Sequence, residues 1–321
     1  LIPKSGADST KLNRTPIPDA SQLSLARADS PVYNTPRFMQ VPCPVFDFHV
    51  HLYPDHLATK AVGHLTHCFG NPPAFDGTVG GAKKKLSATG LCGALNLPVA
   101  TKPDQVESIN AWAAANNSGP VFSLATVHPD TPDIPAVLAA VKAAGFKGIK
   151  LHPEYQAFTL DDPRIEPVWK ACVDLGLFVF LHAGGERVFK PPYHSSPTSI
   201  AALLARHPRL ALVAAHLGGF RMWDESEREL IGKSLTLDLS HTLFWMPDEQ
   251  IVRMVKNHGA DRIVFGTDGP WQDCGKVLEA FLKLPFSEEE QRKILWENAA
   301  RLLNLQPRTG TAGPAPAPTQ P

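Results

Sequence analysis

Residues 46–52 read FDFHVHL, an apolar and strand-forming run that carries two histidines two positions apart. Side chains at positions i and i+2 of a strand point to the same face, so we expect His49 and His51 to project side by side. Two imidazoles on one rigid strand provide half of a site for a first-row metal. Taken alone, the same pattern also fits ordinary strand histidines, so its meaning depends on the rest of the chain.

Three further strand-like runs end in a histidine or an aspartate that small or turn-forming residues follow. His182 follows LFVFL and precedes Ala-Gly-Gly, and His216 follows LALVAA and precedes Leu-Gly-Gly. Asp268 follows RIVFGT and precedes Gly-Pro. Glycine lets the backbone turn away after a strand and leaves the preceding side chain uncovered. Four such strand ends in one chain favour a shared polar site.

The composition excludes some classes of partner. The chain has 321 residues, of which 43% are hydrophobic, and Lys plus Arg equal Asp plus Glu at 31 each. A chain without net charge gives no indication of a nucleic acid or an anionic membrane as partner. No apolar run approaches the roughly 20 residues that span a bilayer. We expect a small-molecule substrate, no nucleic acid and no membrane, and a homo-oligomer stays open.

Cysteine usage bears on the cellular compartment. The five cysteines are widely spaced, odd in number and form no CxxC pair. This pattern favours a reducing compartment, so we expect a cytoplasmic protein. The chain starts at Leu1 rather than at Met, and residues 1–40 contain no signal-type apolar region, so a removed N-terminal leader stays open.

The ends of the chain differ in composition from its middle. Residues 1–42 are rich in Pro, Ser, Thr and Asp, and we expect an extended or disordered N-terminal arm. Residues 306–321 are rich in Pro and Ala and are predicted to be a disordered tail. Residues 43–305 alternate between strand-like and helix-like patterns and are predicted to form one domain.

Eight strand-like runs alternate with helix-like runs in this middle part, which indicates an α/β protein of the (β/α)₈ TIM-barrel class. The strands are expected near residues 45–50, 91–97, 121–127, 147–152, 177–182, 210–216, 235–240 and 262–267. A doubly wound open sheet is the competing architecture. It would hold the candidate ligands on strands 1, 5, 6 and 8 far apart, and no Gly-rich phosphate loop follows the first strand. We expect a long irregular connection from Tyr53 to Ser87.

Several motifs, taken in order, resemble the amidohydrolase superfamily, and specifically its family-2 branch of metal-dependent TIM-barrel hydrolases and decarboxylases. They are FDFHVHL, KGIKLHP, LHAGG, AAHLGG, FGTDGPW and WENAARLLNL, and the likeness covers roughly residues 43–305. This resemblance implies four metal ligands, namely His49, His51, His182 and Asp268. It also implies that His216 lies close to the metal-bound water or the substrate as an acid/base group.

The implied ligand set has consequences for the metal. Three imidazoles and one carboxylate suit one divalent cation, with Zn²⁺ preferred and Mn²⁺, Fe²⁺ or Co²⁺ as alternatives. Such an ion lowers the pKa of bound water from about 15.7 to near 7. Asp268 would then both bind the ion and take a proton from that water, as a catalytic residue beside His216. A structural zinc site fits less well, because such sites favour cysteine and these motifs contain none.

Four further residues are candidates for binding substrate. Lys150 and His152 share a face at the end of the fourth strand. Lys150 would be an inward cation and His152 a pocket residue, although both can instead brace the barrel rim, and a carboxylated Lys150 that bridges two metals stays open. Arg187 and Arg221 follow two ligand motifs, where a guanidinium can clamp a substrate carboxylate. Either arginine can instead pair with a neighbouring acid.

The predicted activity is hydrolysis of a C–O or C–N bond in a lactone, ester or amide of a small carboxylated molecule, by metal-bound hydroxide. The near alternative is non-oxidative decarboxylation of an aromatic or conjugated acid at the same site, because sequence alone does not separate the two chemistries. A second alternative is a catalytically inactive barrel used as an interaction module. Such a chain should have lost at least one ligand, whereas all four are present.

Overall fold

The computed structural model describes residues 41–69 and 72–306. The arm predicted for residues 1–42 and the tail predicted for residues 306–321 lie outside these ranges, apart from residues 41, 42 and 306, and stay predictions. The described strands are β1 (Phe46–Val50), β2 (Gly93–Asn96), β3 (Val121–Ser123), β4 (Ala125–Thr126), β5 (Gly148–Leu151), β6 (Phe178–Leu181), β7 (Leu212–Ala214), β8 (Thr236–Asp238) and β9 (Ile263–Val264).

Helices alternate with most of these strands, as the sequence pattern predicts. They are α1 (Asp55–Phe69), α2 (Val79–Thr89), α3 (Val106–Ala115), α4 (Ile134–Ala143), α5 (Glu166–Leu175), α6 (Pro197–Arg206), α7 (Trp223–Glu229), α8 (Asp248–His258), α9 (Cys274–Phe281), α10 (Glu288–Arg292) and α11 (Asn298–Leu303). A π-helical turn at Lys293–Glu297 joins the last two. In the two described ranges, no helix is both long and apolar enough to cross a membrane.

The strands pair in parallel around one ring. The order is β1-β2-β3 in one sheet and β4-β5-β6-β7-β8-β9 in the other, and only Leu124 separates β3 from β4, so these two are parts of one strand. The residues after β9 bond to β1, because His51 N donates to Gly269 O at 2.6 Å and Asp268 N donates to His49 O at 2.8 Å. These bonds join the first strand to the last, as in the predicted (β/α)₈ barrel.

A cluster of aromatic side chains fills the barrel beneath the carboxyl ends of its strands. It contains Phe46, Phe48, Phe178 and Phe180, all buried. The pairing of β1 with β2 shifts register between Asp47 and Val50, and the adjacent Phe48 and His49 both contact the ring of Phe180, at 6.0 and 5.0 Å between centroids. Such an irregularity re-aims a side chain. It places His49 directly on the aromatic cluster, where its ring has little freedom.

The prediction of an irregular connection from Tyr53 to Ser87 is wrong, because this segment contains α1 and most of α2. The segment is rich in glycine, yet it contains a helix N-cap, because the side chain of Thr78 accepts a hydrogen bond from Gly81 N at the start of α2. Gly90 ends that helix in the left-handed conformation, at φ 74°. Helix α2 packs on the barrel through the buried side chains of Ala82 and Leu86.

Candidate metal centre and active site

Three of the four predicted metal ligands converge at the carboxyl end of the barrel. His49 Nε2 lies 3.2 Å from His51 Nε2. Asp268 Oδ1 lies 3.4 Å from His49 Nε2 and 3.1 Å from His51 Nε2. The backbone of Asp268 has a left-handed φ of 62°, and its N–H donates to His49 O at 2.8 Å, so the residue lies beside β1. Three ligand atoms from two neighbouring strands therefore face one point.

The protonation states of His49 and Asp268 suit the binding of a cation. His49 Nδ1 lies 2.5 Å from the carboxylate oxygen Asp238 Oδ2, which accepts a hydrogen bond from it, so the proton is on Nδ1 and His49 Nε2 carries a lone pair. Asp268 Oδ1 is buried without a hydrogen bond of acceptable geometry from the described residues, despite its proximity to His51. Burial opposes ionisation of Asp268, but the neighbouring imidazoles of His49, His241 and His51 outweigh it and lower its pKa well below the usual range. His49 Nε2 and Asp268 Oδ1 are thus two acceptor atoms 3.4 Å apart, an arrangement that a cation would stabilise.

The fourth predicted ligand, His182, lies beside His216 at the same end of the barrel. His216 Nδ1 is 3.1 Å from the carbonyl oxygen of Ser240, which only accepts, so this nitrogen carries the proton. By the same reasoning His182 Nε2 donates to Gly185 O at 3.2 Å. The remaining nitrogens, His216 Nε2 and His182 Nδ1, face each other at 3.3 Å with two lone pairs. A shared proton or a nearby cation relieves this contact.

A second group of possible ligand atoms comprises His152, Glu154 and His182. Its geometry does not suit a metal, because the rings of His152 and His182 stack at 4.0 Å with only 9° between their planes. The nitrogen lone pairs lie in the ring planes, so those of two stacked rings cannot converge on one ion. Glu154 Oε1 already accepts the backbone N–H of His194 at 2.6 Å. We therefore interpret this group as packing, in which His152 supports the ring of His182 and lines the cavity.

Lys150 is buried at the end of β5 with its ammonium group 4.7 Å from the centroid of the Phe180 ring. Burial lowers the pKa of Lys150 to about 8, against the opposing charges of Asp268, Asp238 and Glu186. Lys150 thus lies at the same end of the barrel as the candidate metal ligands and points inward, as the sequence pattern predicts.

A cavity of about 480 Å³ lies over these residues. Its polar floor is formed by His49, Lys150, His216 and Asp268. Burial lowers the pKa of His216 to about 3, against the charges of Asp238 and Asp268, so its ring is neutral. The apolar part of its lining has two components, the aromatic side chains of Tyr53, Tyr155, Phe220, Trp245 and Trp271 and the smaller side chains of Leu52, Ala61, Leu97, Pro98 and Val99. A volume of this size suits a small molecule.

The two predicted arginines lie differently with respect to this cavity. Arg187 lines it, and its guanidinium carbon is 5.6 Å from the centroid of the Trp245 ring. Arg221 is exposed and lies 5.3 Å from the Phe220 ring and 5.7 Å from the Trp245 ring, outside the set of cavity-lining residues. The structure therefore brings Arg187 to the site and leaves Arg221 on its outer side.

A family model described as Amidohydrolase matches residues 94–305, which is more than half of the chain. The chain belongs to the amidohydrolase family. A TIM-barrel protein of Bordetella bronchiseptica has a similar structure, with a TM-score of 0.63, 21% sequence identity, and coverage of 82% of this amidohydrolase and 99% of that chain. This likeness confirms the predicted barrel.

Two curated relatives are similar in sequence to parts of this amidohydrolase. The 2-amino-3-carboxymuconate-6-semialdehyde decarboxylase of Dictyostelium discoideum is 26% identical over 206 residues, which cover 51% of this chain and 55% of that protein. The gamma-resorcylate decarboxylase of a Polaromonas species is 25% identical over 122 residues, which cover 33% of this chain and 37% of that protein. The matched part thus spans about half of these relatives' length or less.

Sequence reasoning missed several residues of the amidohydrolase site. Asp238, Ser240 and His241 follow one another on β8 and just after it, and His241 Nε2 lies 3.1 Å from Asp268 Oδ2. A signal was present, because TLDLSH alternates apolar and polar residues at the end of a predicted strand. Glu186 was also missed; it lines the cavity, and burial raises its pKa.

Proposed function

We propose that this amidohydrolase is a metal-dependent enzyme that decarboxylates a small aromatic or conjugated acid without oxidation. The observation that carries the proposal is the cavity, in which five aromatic side chains and several aliphatic ones stand over the candidate metal ligands, the buried Lys150 and the neutral imidazole of His216. Flat conjugated molecules pack well between aromatic side chains. The names of the two curated relatives, both decarboxylases, support the same choice.

The proposed ligands of one divalent cation are His49, His51, His182 and Asp268, and three imidazoles with one carboxylate favour Zn²⁺. When bound, the ion would act as a Lewis acid that polarises a substrate oxygen and lowers the pKa of coordinated water. The protein residues fix the arrangement: the aromatic cluster beneath His49 and the backbone bond of Asp268 to β1 hold both side chains before the ion arrives.

Lys150 and Arg187 are proposed to bind the anionic groups of the substrate. Lys150 is buried at the floor and would pair with an oxygen next to the reacting carbon, whereas Arg187 would bind a second anionic group nearer the cavity wall formed by Trp245. An ammonium group in a dry site attracts a carboxylate more strongly than one in water. Because Arg221 lies outside the cavity lining, we do not retain it as a substrate contact.

His216 is the proposed proton carrier. In decarboxylation the bond between the ring carbon and the carboxylate breaks, CO₂ leaves, and the electron pair left on the carbon takes up a proton. Ser240 O accepts the hydrogen bond of Nδ1–H, so the Nε2 lone pair can relay a proton from water to that carbon, and the hydroxide left behind combines with the released CO₂ to bicarbonate.

Hydrolysis, which the sequence analysis preferred, remains the second candidate. A neutral imidazole with a free Nε2 lone pair is a general base for water, and Asp268 is poised between His51 and His241 to share in proton transfer. The aromatic residues of the cavity and the names of the two decarboxylase relatives are our reasons for preferring decarboxylation.

A substrate panel separates the candidates. We expect CO₂ release from hydroxybenzoate-type or other conjugated acids, without ring opening, and no release after a chelator has removed the metal. The panel should also contain lactones, esters and amides of similar size. Ring opening or ester cleavage without CO₂ would favour hydrolysis. If every compound is inert while the protein binds metal, the inactive interaction module becomes the better account.

A further inference from the structure

We propose that Asp238 is a positioning residue that sets the tautomer of His49 and thereby keeps its Nε2 atom free to bind a cation. This inference rests on the proposed metal site, although it makes a separate claim about where one proton lies. Asp238 stands at the end of β8, is fully buried, and was not among the residues that the sequence pattern indicated.

The two oxygens of this carboxylate have different neighbours. Oδ2 contacts one ring nitrogen, His49 Nδ1, at 2.5 Å. Oδ1 accepts three hydrogen bonds, from the backbone N–H of His216 at 2.8 Å, the backbone N–H of Ser240 at 2.9 Å and the hydroxyl of Ser240 at 2.6 Å. One buried carboxylate therefore joins a proposed metal ligand to the strand end that carries the proposed proton carrier.

An amide in place of the carboxylate cannot satisfy both sides. In Asp238→Asn the amide oxygen would face the three donors around Oδ1, because turning the amide NH₂ toward them would oppose donors to donors. The NH₂ group would then face His49 Nδ1, which would have to accept. The proton of His49 would move to Nε2, the atom that lies 3.2 Å from His51 Nε2 and 3.4 Å from Asp268 Oδ1. A protonated Nε2 is not a metal ligand.

Ser240 provides a matched variant in the same network. Its hydroxyl donates its one proton to Asp238 Oδ1. Toward the two histidine rings the hydroxyl oxygen can therefore only accept a hydrogen bond, and it lies 2.8 Å from His216 Nδ1 and 2.9 Å from His49 Nδ1. In Ser240→Ala, His216 Nδ1 keeps its bond to the backbone carbonyl of residue 240, and His49 Nδ1 keeps Asp238. Both tautomers should therefore survive this substitution.

Asp47 provides a second control, because it is also a buried carboxylate in a strand next to the site. Its oxygens accept from the backbone N–H groups of His49 and Thr267 and from the Thr267 hydroxyl, and no imidazole is among the partners described for its side chain. An asparagine can reproduce these bonds if the Thr267 hydroxyl rotates to accept. Asp47→Asn therefore removes a buried carboxylate without removing an oxygen that accepts a hydrogen bond from a histidine ring.

The first measurement is Zn²⁺ affinity by chelator competition on metal-stripped full-length protein. We expect Asp238→Asn to bind Zn²⁺ about 10–100-fold more weakly, the range typical for loss of a group that orients a metal ligand. Ser240→Ala and Asp47→Asn should bind Zn²⁺ as the wild type does. Wild-type affinity in Asp238→Asn, or an equal loss in Asp47→Asn, would overturn the assignment.

The second measurement is ¹⁵N NMR of histidine side chains in the metal-free protein, with the His49 signal assigned by its loss in His49→Gln. The wild type should carry the His49 proton on Nδ1, and Asp238→Asn should carry it on Nε2, a change that a merely structural role would not produce. A wild-type proton on Nε2 refutes the inference even if Asp238→Asn fails to fold. Failure of the wild type to bind metal would instead refute the proposed function, and the tautomer measurement would still decide this inference.

Discussion

Replacing Asp268 with asparagine is expected to remove the metal from the protein and to abolish turnover. Asp268 supplies the one carboxylate of the proposed ligand set, and its Oδ1 atom lies within 3.4 Å of both His49 Nε2 and His51 Nε2. An amide has no charge to offset that of the cation. Because loss of a group behind a ligand already weakens binding roughly 10–100-fold, loss of this ligand should weaken it by more than about 100-fold.

The measurement for Asp268→Asn is metal content after dialysis, together with turnover of whichever panel compound the wild type uses. Asp248→Asn is the matched control, since it makes the same substitution at an exposed position in the first turn of α8. The control should keep its metal and its activity. If Asp268→Asn retains a full equivalent of metal, Asp268 is not a ligand and the proposed set is wrong.

Replacing His216 with asparagine is expected to leave the metal in place and to slow turnover by about 10²–10⁴-fold, the usual contribution of a general acid/base group. The four proposed ligands remain in this variant. Asparagine can donate to the carbonyl of Ser240, as His216 Nδ1 does, but it cannot carry a proton at the position of Nε2. The global fold should persist, because the residue stands at a strand end over the cavity.

Metal content and turnover of His216→Asn are to be measured on one preparation, next to His207→Asn as a control. His207 ends α6 outside the cavity lining, where it bonds to Glu166, and its substitution should leave turnover unchanged. Near-normal turnover of His216→Asn with full metal would reduce His216 to a bracing residue. Loss of the metal would instead make it a ligand, which its 3.3 Å contact with His182 would explain.

The sequence was sufficient to predict the parts of the site that depend on strand geometry alone. The period of two in β1 brings His49 and His51 to one face, and parallel strands bring Asp268 to the same end of the barrel. The alternation of strands and helices likewise predicted the barrel. Each of these inferences needs only the periodicity of a strand or a helix, and that periodicity can be read from residues close together in the sequence.

Other parts depend on contacts that no local pattern specifies. Asp238 contacts His49 across 189 positions of sequence, and His49 lies where the pairing of β1 with β2 is irregular. Whether Arg187 or Arg221 lines the cavity depends on the conformation of loops, which follow no sequence repeat. Helix α1 was missed although its apolar residues are periodic, because the surrounding residues 53–87 are rich in Gly, Pro and His, which are typical of a loop.

The most direct test of the account is calorimetric titration of Zn²⁺ into metal-stripped protein. The proposed site predicts binding of one equivalent to the wild type and no binding at that site in Asp268→Asn. Two equivalents in the wild type that fall to one in Lys150→Ala would indicate a two-metal centre bridged by a carboxylated lysine. Absence of binding to the wild type would contradict the central claim that His49, His51, His182 and Asp268 hold a cation.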